Sequence, residues 1–231
     1  MTAPAGVLIT RPRPAADATG ALVAARGFAP VIAPALVIRS RPIRLESVPA
    51  AIAVTSGNAL AGLPAGLHAV PVFAVGDATA AKARAAGFSE VTSAGADAAA
   101  LAALIARAAP PGPLLLAVGE GQGAALERSL RARGRAVDRQ VLYAAQPADA
   151  LPAEAVAAVR AGRVRFALFF SAETARAFVR LAATDAVEQA LGAVTACAIG
   201  RSAVMALEPI RWREIRLADH PNQEAMLALL Q

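Results

Sequence analysis

Reactive and strongly structuring side chains are scarce in this chain. Among 231 residues there is one cysteine, one tyrosine, one tryptophan and two histidines, and aromatics make up only 4%. A single thiol, Cys197, excludes an internal disulfide and agrees with a reducing compartment. His68 and His220 have no Cys, His or carboxylate neighbours at ligand spacing, so no metal is expected. Neither a G-x-S-x-G elbow nor a Cys/His pairing argues for covalent catalysis. Long apolar runs are missing too. The longest stretch without charge, residues 47–76, is broken by Pro49, Pro64, Pro71 and His68, so no transmembrane helix is expected. The opening MTAPAGVLITRP lacks a basic region followed by an apolar core, which argues against export and for the cytoplasm. Lysine is nearly absent: of 23 basic residues, all but Lys82 are arginine, and the net charge is +6. These arginines are dispersed, stacking aromatics are few and no recognition motif appears, so nucleic acid is not the expected partner. A small polyanion fits better, because the planar guanidinium fork matches carboxylates.

What the chain does have is alternation. Short β-rich runs recur as GVLIT (6–10), APVIAP (29–34), AIAVTS (51–56), PVFAVG (71–76), SEVTS (89–93), PLLLAVG (113–119), RQVLYAA (139–145), RFALFFS (165–171), VTACAIG (194–200) and REIRLA (213–218). Helical patterns lie between most of them, at 14–26, 58–63, 77–86, 97–108, 123–133, 173–182, 201–207 and 222–230. Such alternation implies βα units and parallel sheets. Ten strands divide naturally into two five-stranded sheets. A weak internal repeat agrees. LITRPRPAADATGALVAARGFAPVIAPAL resembles LLAVGEGQGAALERSLRARGRAVDRQVLYAA, AVTSGNALAGL resembles LFFSAETARAF, and AVGDATAAKA resembles AIGRSAVMAL. VIRSRPIRLESVP (37–49) and AAQPADALP (144–152) read as proline-bearing connectors.

Two kinds of turn compete as functional signals. In LLLAVGEGQGAALERSL, Gly119, Gly121 and Ala124 satisfy G-x-G-x-x-[G/A] between strand and helix, with Asp138 following. On that pattern the chain would be a nicotinamide-dependent oxidoreductase. Against it, Asp138 precedes its strand rather than closing it, and the repeat partner of this turn, Thr10-Arg11-Pro12, has no glycine. The other signal is a set of strand-end turns: Thr10-Arg11, Ser56-Gly57, Gly76 with Asp77 and Thr79, Ser171, and Gly200 with Ser202. Any one of them reads equally well as plain helix N-capping. Together they line the carboxyl edges of strands, where open α/β sheets bind ligands, and they suggest an extended anion gripped from both domains. Tyr143 lies near the end of RQVLYAAQP, where the chain leaves one domain. It is either a half-buried ring packed at the joint or a phenol that donates a proton into the interdomain cleft. Cys197 reads as an inert core thiol and Trp212 as edge-strand packing.

The ordered set VLITRPRPAADATGALVAARGFAPVIAP, AVTSGNAL, VFAVGDATAAKARAAGF, LLLAVGEGQGAALERSLRARG…VLYAA, FFSAETARAF, CAIGRSAVMAL and HPNQEAMLALL resembles the uroporphyrinogen-III synthase family almost end to end. The resemblance implies two flavodoxin-like α/β domains with parallel sheets, joined by a two-stranded connector. One domain would hold residues 1–37 and 147–231 and the other residues 40–143. It implies a cofactor-free lyase of tetrapyrrole (haem) biosynthesis, monomeric, that cyclises hydroxymethylbilane with inversion of ring D and loss of water. A transient contact with the deaminase that makes hydroxymethylbilane is implied as well. By resemblance Tyr143 is the proton donor, and Thr79, Ser56 and Ser171 are substrate contacts. Where the family turn carries threonine this chain has Ala203, with Ser202 beside it. GEGQGA also lacks the arginine usual near Gly119. A non-catalytic anion-binding protein of the same fold is a further reading.

Overall fold

The computed structural model describes residues 4–43 and 45–231. Met1–Ala3 of the opening segment and Arg44 of the 37–49 connector lie outside the described residues. In chain order the elements begin with β1 (Gly6–Ile9), α1 (Ala15–Ala24), β2 (Ala29–Ile32), β3 (Leu36–Ser40) and β4 (Ala51–Val54). Two short 3-10 helices follow, Gly57–Gly62 and Ala65–Leu67. Next come β5 (Val72–Ala74), α2 (Asp77–Ala85), β6 (Val91–Ser93), α3 (Ala98–Ala108), β7 (Leu114–Gly119), α4 (Ala124–Ala132) and β8 (Val137–Pro147). The chain ends with α5 (Ala153–Arg160), β9 (Val164–Phe169), α6 (Ala172–Thr184), α7 (Glu188–Leu191), β10 (Thr195–Ala198), α8 (Arg201–Leu207), β11 (Glu214–Leu217) and α9 (Gln223–Ala228). These elements form two compact units, Met1–Val37 with Gln146–Gln231 and Ile38–Ala145. No described helix is long and apolar enough to cross a membrane.

The central strands are apolar without alternation because both of their faces are covered. In the Ile38–Ala145 unit, Ile52, Val54, Leu115 and Ala117 face Leu60, Leu67, Ala80 and Phe88 on one side of the sheet. Ala51, Ala53, Leu114, Leu116 and Val118 face Leu101, Ile105, Leu126 and Leu130 on the other. Period-two alternation along β4 and β7 thus feeds two separate cores. In the other unit, Val7, Ile9, Phe166 and Leu168 pack against Val23 of α1 and Met226 and Leu227 of α9. Phe169 points the opposite way, edge-on to Phe178 of α6 and to Trp212. Truncating a fully buried leucine or isoleucine such as Leu114, Leu116, Ile52 or Leu168 to alanine costs about 2–5 kcal/mol.

Strand order is β11-β10-β9-β1-β2 in one sheet and β3-β8-β7-β4-β5-β6 in the other. The internal repeat explains both. Matching β1-α1-β2 to β7-α4-β8, β9 to β4 and β10 to β5 turns β2-β1-β9-β10-β11 into β8-β7-β4-β5-β6. The second sheet is a circularly permuted copy of the first, with β3 added at its edge. All the registers within these five-strand sets are parallel.

Three readings of the sequence are corrected. The second sheet has six strands rather than five, since LVIRS, at the start of the 37–49 connector, is itself a strand, β3, beside β8; its exposed end, Arg39 and Ser40, gives an edge strand no apolar signature. AEAVAAVR forms α5 immediately after Pro152, burying Ala155, Ala158 and Val159 at helical spacing, but its alanines blunt the pattern. Trp212 is core rather than edge packing: it is 8% exposed and its indole N–H donates to the Leu207 carbonyl at 3.0 Å.

Candidate active site

Chain order reverses once in each sheet, between β1 and β9 and between β4 and β7. Open α/β sheets bind ligands outside the carboxyl ends of the strands at such a switch point. The strand-end turns picked out from sequence sit there or one strand away.

At the β1/β9 switch point the two residues of Thr10-Arg11 do different work. Thr10 is fully buried and its hydroxyl donates to the Leu168 carbonyl at 2.6 Å. That bond ties β1 to β9, so the hydroxyl is already engaged within the protein. Arg11 is different. Its guanidinium lies 4.4 Å from the centre of the Phe170 ring, and one terminal nitrogen donates to Gln223 Oε1 at 3.1 Å and Thr19 Oγ1 at 3.2 Å. Among the described residues no carboxylate pairs with it. Burial lowers its pKa, yet an arginine remains cationic, leaving a partly desolvated charge without a counter-ion. Such a group gains from an incoming carboxylate.

Ser171 caps α6: its hydroxyl oxygen accepts from the Thr174 N–H at 3.1 Å and donates to Thr174 Oγ1 at 2.9 Å. Gly200 precedes α8 in extended backbone, with nothing within 4 Å of where a Cβ would stand. Behind it Ala203 is fully buried, while Ser202 is exposed and its hydroxyl has no partner among the described residues.

In the other unit, β4 is followed two residues on by Ser56, whose hydroxyl accepts from the Asn58 N–H at 3.3 Å. At Gly57 a Cβ would run into the stem of Lys82 from α2. Gly76 opens α2 in extended backbone with open space around it, and Thr79 is partly buried with no side-chain partner among the described residues. β7 ends in the loop Gly119–Gly123, in which Gly121 (φ 72°) and Gly123 (φ 86°) adopt left-handed backbone. The protein itself holds this loop. Arg41 pairs with Glu120 at 2.8 Å, and Arg139 donates to the Gln122 carbonyl at 3.3 Å. Guanidinium groups therefore approach the loop from flanking strands although its own sequence contains none.

Tyr143 owes its orientation to a bulge. β8 pairs Val141 with Val118 but Tyr143 with Gly119, leaving Leu142 as the extra residue. In a regular strand Leu142 and Tyr143 would face opposite sides; here both join the same core. The ring, 6% exposed, lies over Gly119, and its hydroxyl donates to Gln122 Oε1 at 3.2 Å.

The same geometry removes the dinucleotide reading. Asp138 pairs with Leu115, four residues before Gly119, so roughly 13 Å of strand separates it from the loop. It sits at the amino end, where it cannot meet a ribose whose phosphates lie at the carboxyl end. No three metal-ligating side chains cluster among the described residues. Gln122, Gln223 and Phe170 were not picked out as site residues, because a polar residue in a turn carries no signal until its partner is known.

A family model for uroporphyrinogen-III synthase HemD matches residues 17–228. The chain belongs to the uroporphyrinogen-III synthase family. Membership carries the activity: closure of hydroxymethylbilane to uroporphyrinogen III, a lyase reaction of haem biosynthesis; an oxidoreductase function is not supported. The crystal structure of uroporphyrinogen-III synthetase from Helicobacter pylori is 19% identical, with 98% of this chain and 97% of that one covered and a TM-score of 0.61. This likeness establishes the shared two-domain α/β fold. A mutant uroporphyrinogen III synthase from the extremely thermophilic bacterium Thermus thermophilus is also 19% identical, over 97% of this chain and 96% of its own, at a TM-score of 0.45. No curated protein matched at a significant level.

Proposed function

We propose that the strand-end turns described above carry out ring D inversion and closure of hydroxymethylbilane, with Tyr143 as the proton donor. The substrate is a linear tetrapyrrole bearing eight carboxylates. Arg11, the turns Ser56–Gly57 and Gly76–Thr79, Ser171 and the Gly200–Ser202 turn take its acetate and propionate arms. Backbone N–H groups at helix N-termini and a guanidinium without a counter-ion suit such a ligand.

The ring A carbon–oxygen bond breaks as the hydroxyl accepts a proton and departs as water, leaving an electron-poor azafulvene. The substituted carbon of ring D attacks it to give a spiro intermediate. Fragmentation and reattachment at the other side of ring D, with loss of a proton, deliver the type III macrocycle. Tyr143 supplies the first proton. The observation that carries this role is its phenol, turned by the bulge onto Gly119 and engaged, among the described residues, only by the neutral amide of Gln122 at 3.2 Å. A single hydrogen bond to a neutral acceptor can be exchanged for one to a departing hydroxyl. No cofactor enters this scheme. The same reading makes the protein a cytoplasmic monomer that meets the deaminase only transiently.

Product analysis with freshly made hydroxymethylbilane tests the proposal. Type III isomer should form well above the spontaneous rate. Type I alone, at the spontaneous rate, would overturn it.

A further inference from the structure

Lys82 is the one lysine in a chain whose other basic residues are all arginine. It lies on α2, and its aliphatic stem crosses Gly57, the first residue after the Ser56 cap. A Cβ at Gly57 would collide with the Lys82 Cδ and stand 3.4 Å from its Cβ and 3.5 Å from its Cγ. Glycine at 57 is therefore what lets the stem lie down on this turn. Gly57 itself keeps φ out of the left-handed region, so backbone conformation does not explain the glycine.

Around the helix, Thr79 is three residues before Lys82 and about 60° away, on the same face. Its hydroxyl is free among the described residues, as noted above. Asp77, the acidic residue of the first turn, is five residues back and about 140° round, on a different face. Among the described residues no carboxylate pairs with Lys82. A cation laid across a strand-end turn, beside an unused hydroxyl and without a counter-ion, is arranged for an external carboxylate.

We infer that Lys82 is a substrate-binding residue, contacting one acetate or propionate arm of the tetrapyrrole at the Ser56–Gly57 and Gly76–Thr79 turns. The inference rests on the tetrapyrrole reading of the substrate and not on the role of Tyr143. Because the ammonium is solvated, one such contact changes affinity by roughly two- to fivefold.

Lysine chemistry gives a clean test, since Lys82 and the α-amino terminus are the only primary amines. The protein is acylated with an N-hydroxysuccinimide ester, with and without saturating uroporphyrin III, and the rate at each amine is read by peptide mass mapping. Lys82 should be protected several-fold while the terminus reacts at an unchanged rate. Bound porphyrin with Lys82 unprotected would overturn the inference alone. Porphyrin that does not bind at all would remove the substrate reading and Lys82 with it. In parallel, Lys82→Met should raise KM for hydroxymethylbilane two- to fivefold at nearly constant kcat, and Lys82→Arg should restore it. Gly57→Ala, which lifts the stem without removing the charge, should show part of the same KM effect. A Lys82→Met enzyme with the parent KM would contradict the assignment.

Discussion

Tyr143 carries a hydroxyl whose only partner among the described residues is Gln122, and removing that hydroxyl separates chemistry from packing. Tyr143→Phe keeps the ring over Gly119 and should leave thermal stability within about 1 kcal/mol, since one partly buried hydrogen bond is lost. Turnover should fall by roughly 100-fold or more, the usual size of a fully used general-acid contact. A variant as active as the parent would return Tyr143 to a packing role. Cys197 makes the opposite case. Burial pushes its thiol up to about 12 from an ordinary 9.0, so at pH 8 no thiolate is present to react. It should resist thiol reagents in the native state and react at once on unfolding. The sign of the linkage follows. Between pH 9 and about 12 the unfolded chain loses a proton that the native chain keeps, so this contribution to stability is intact below pH 9 and is lost as pH rises towards 12. Urea midpoints measured across that range check it.

Elements were legible where sequence pattern and burial coincide. LLLAVG, AIAV and RFALFF are apolar because helices cover both faces of their strands, and the strand-then-helix period shows through. β3 and α5 were missed for physical reasons. An edge strand ending Arg39-Ser40 needs no second apolar face, and a helix that buries mainly alanine leaves little contrast between its sides. The bulge at Leu142 was invisible for a deeper reason. Nothing in RQVLYAA marks an extra residue, yet that residue decides which side of the sheet Tyr143 faces. Gly119 is the other half of the device. A Cβ there would come within 2.5 Å of Tyr143 Cζ and 2.7 Å of its hydroxyl oxygen. Gly119→Ala should cost about 1–3 kcal/mol through overpacking and should cut turnover by moving the phenol off Gln122. In a Tyr143→Ala background the same substitution should cost far less, because the ring it strikes is gone; chemical denaturation of the four proteins gives the coupling. Equal costs in both backgrounds would mean that the ring does not constrain Gly119.

At the scale of the whole molecule, one βα plan is used twice with its strands permuted, and both copies present turns at strand carboxyl ends. What the reaction asks of them is control over shape. Hydroxymethylbilane closes unaided to the type I macrocycle, so a protein that only adhered to it would leave that outcome unaltered. Type III requires ring D to attack through its substituted carbon, a geometry that spontaneous closure does not favour. In the proposed reading, anchors for the acetate and propionate arms hold the chain in that geometry, and Thr79 is a candidate anchor whose hydroxyl no described residue already occupies. Thr79→Val preserves size and helix position while removing the donor. It should slow formation of type III, and because the uncatalysed route runs in parallel, the share of type I should rise with time at low enzyme concentration. Chromatography of the oxidised products reads the ratio directly. An unchanged ratio together with an unchanged rate would take Thr79 out of the substrate site; a slower reaction that still yields only type III would assign it to binding without control of the fold of the substrate.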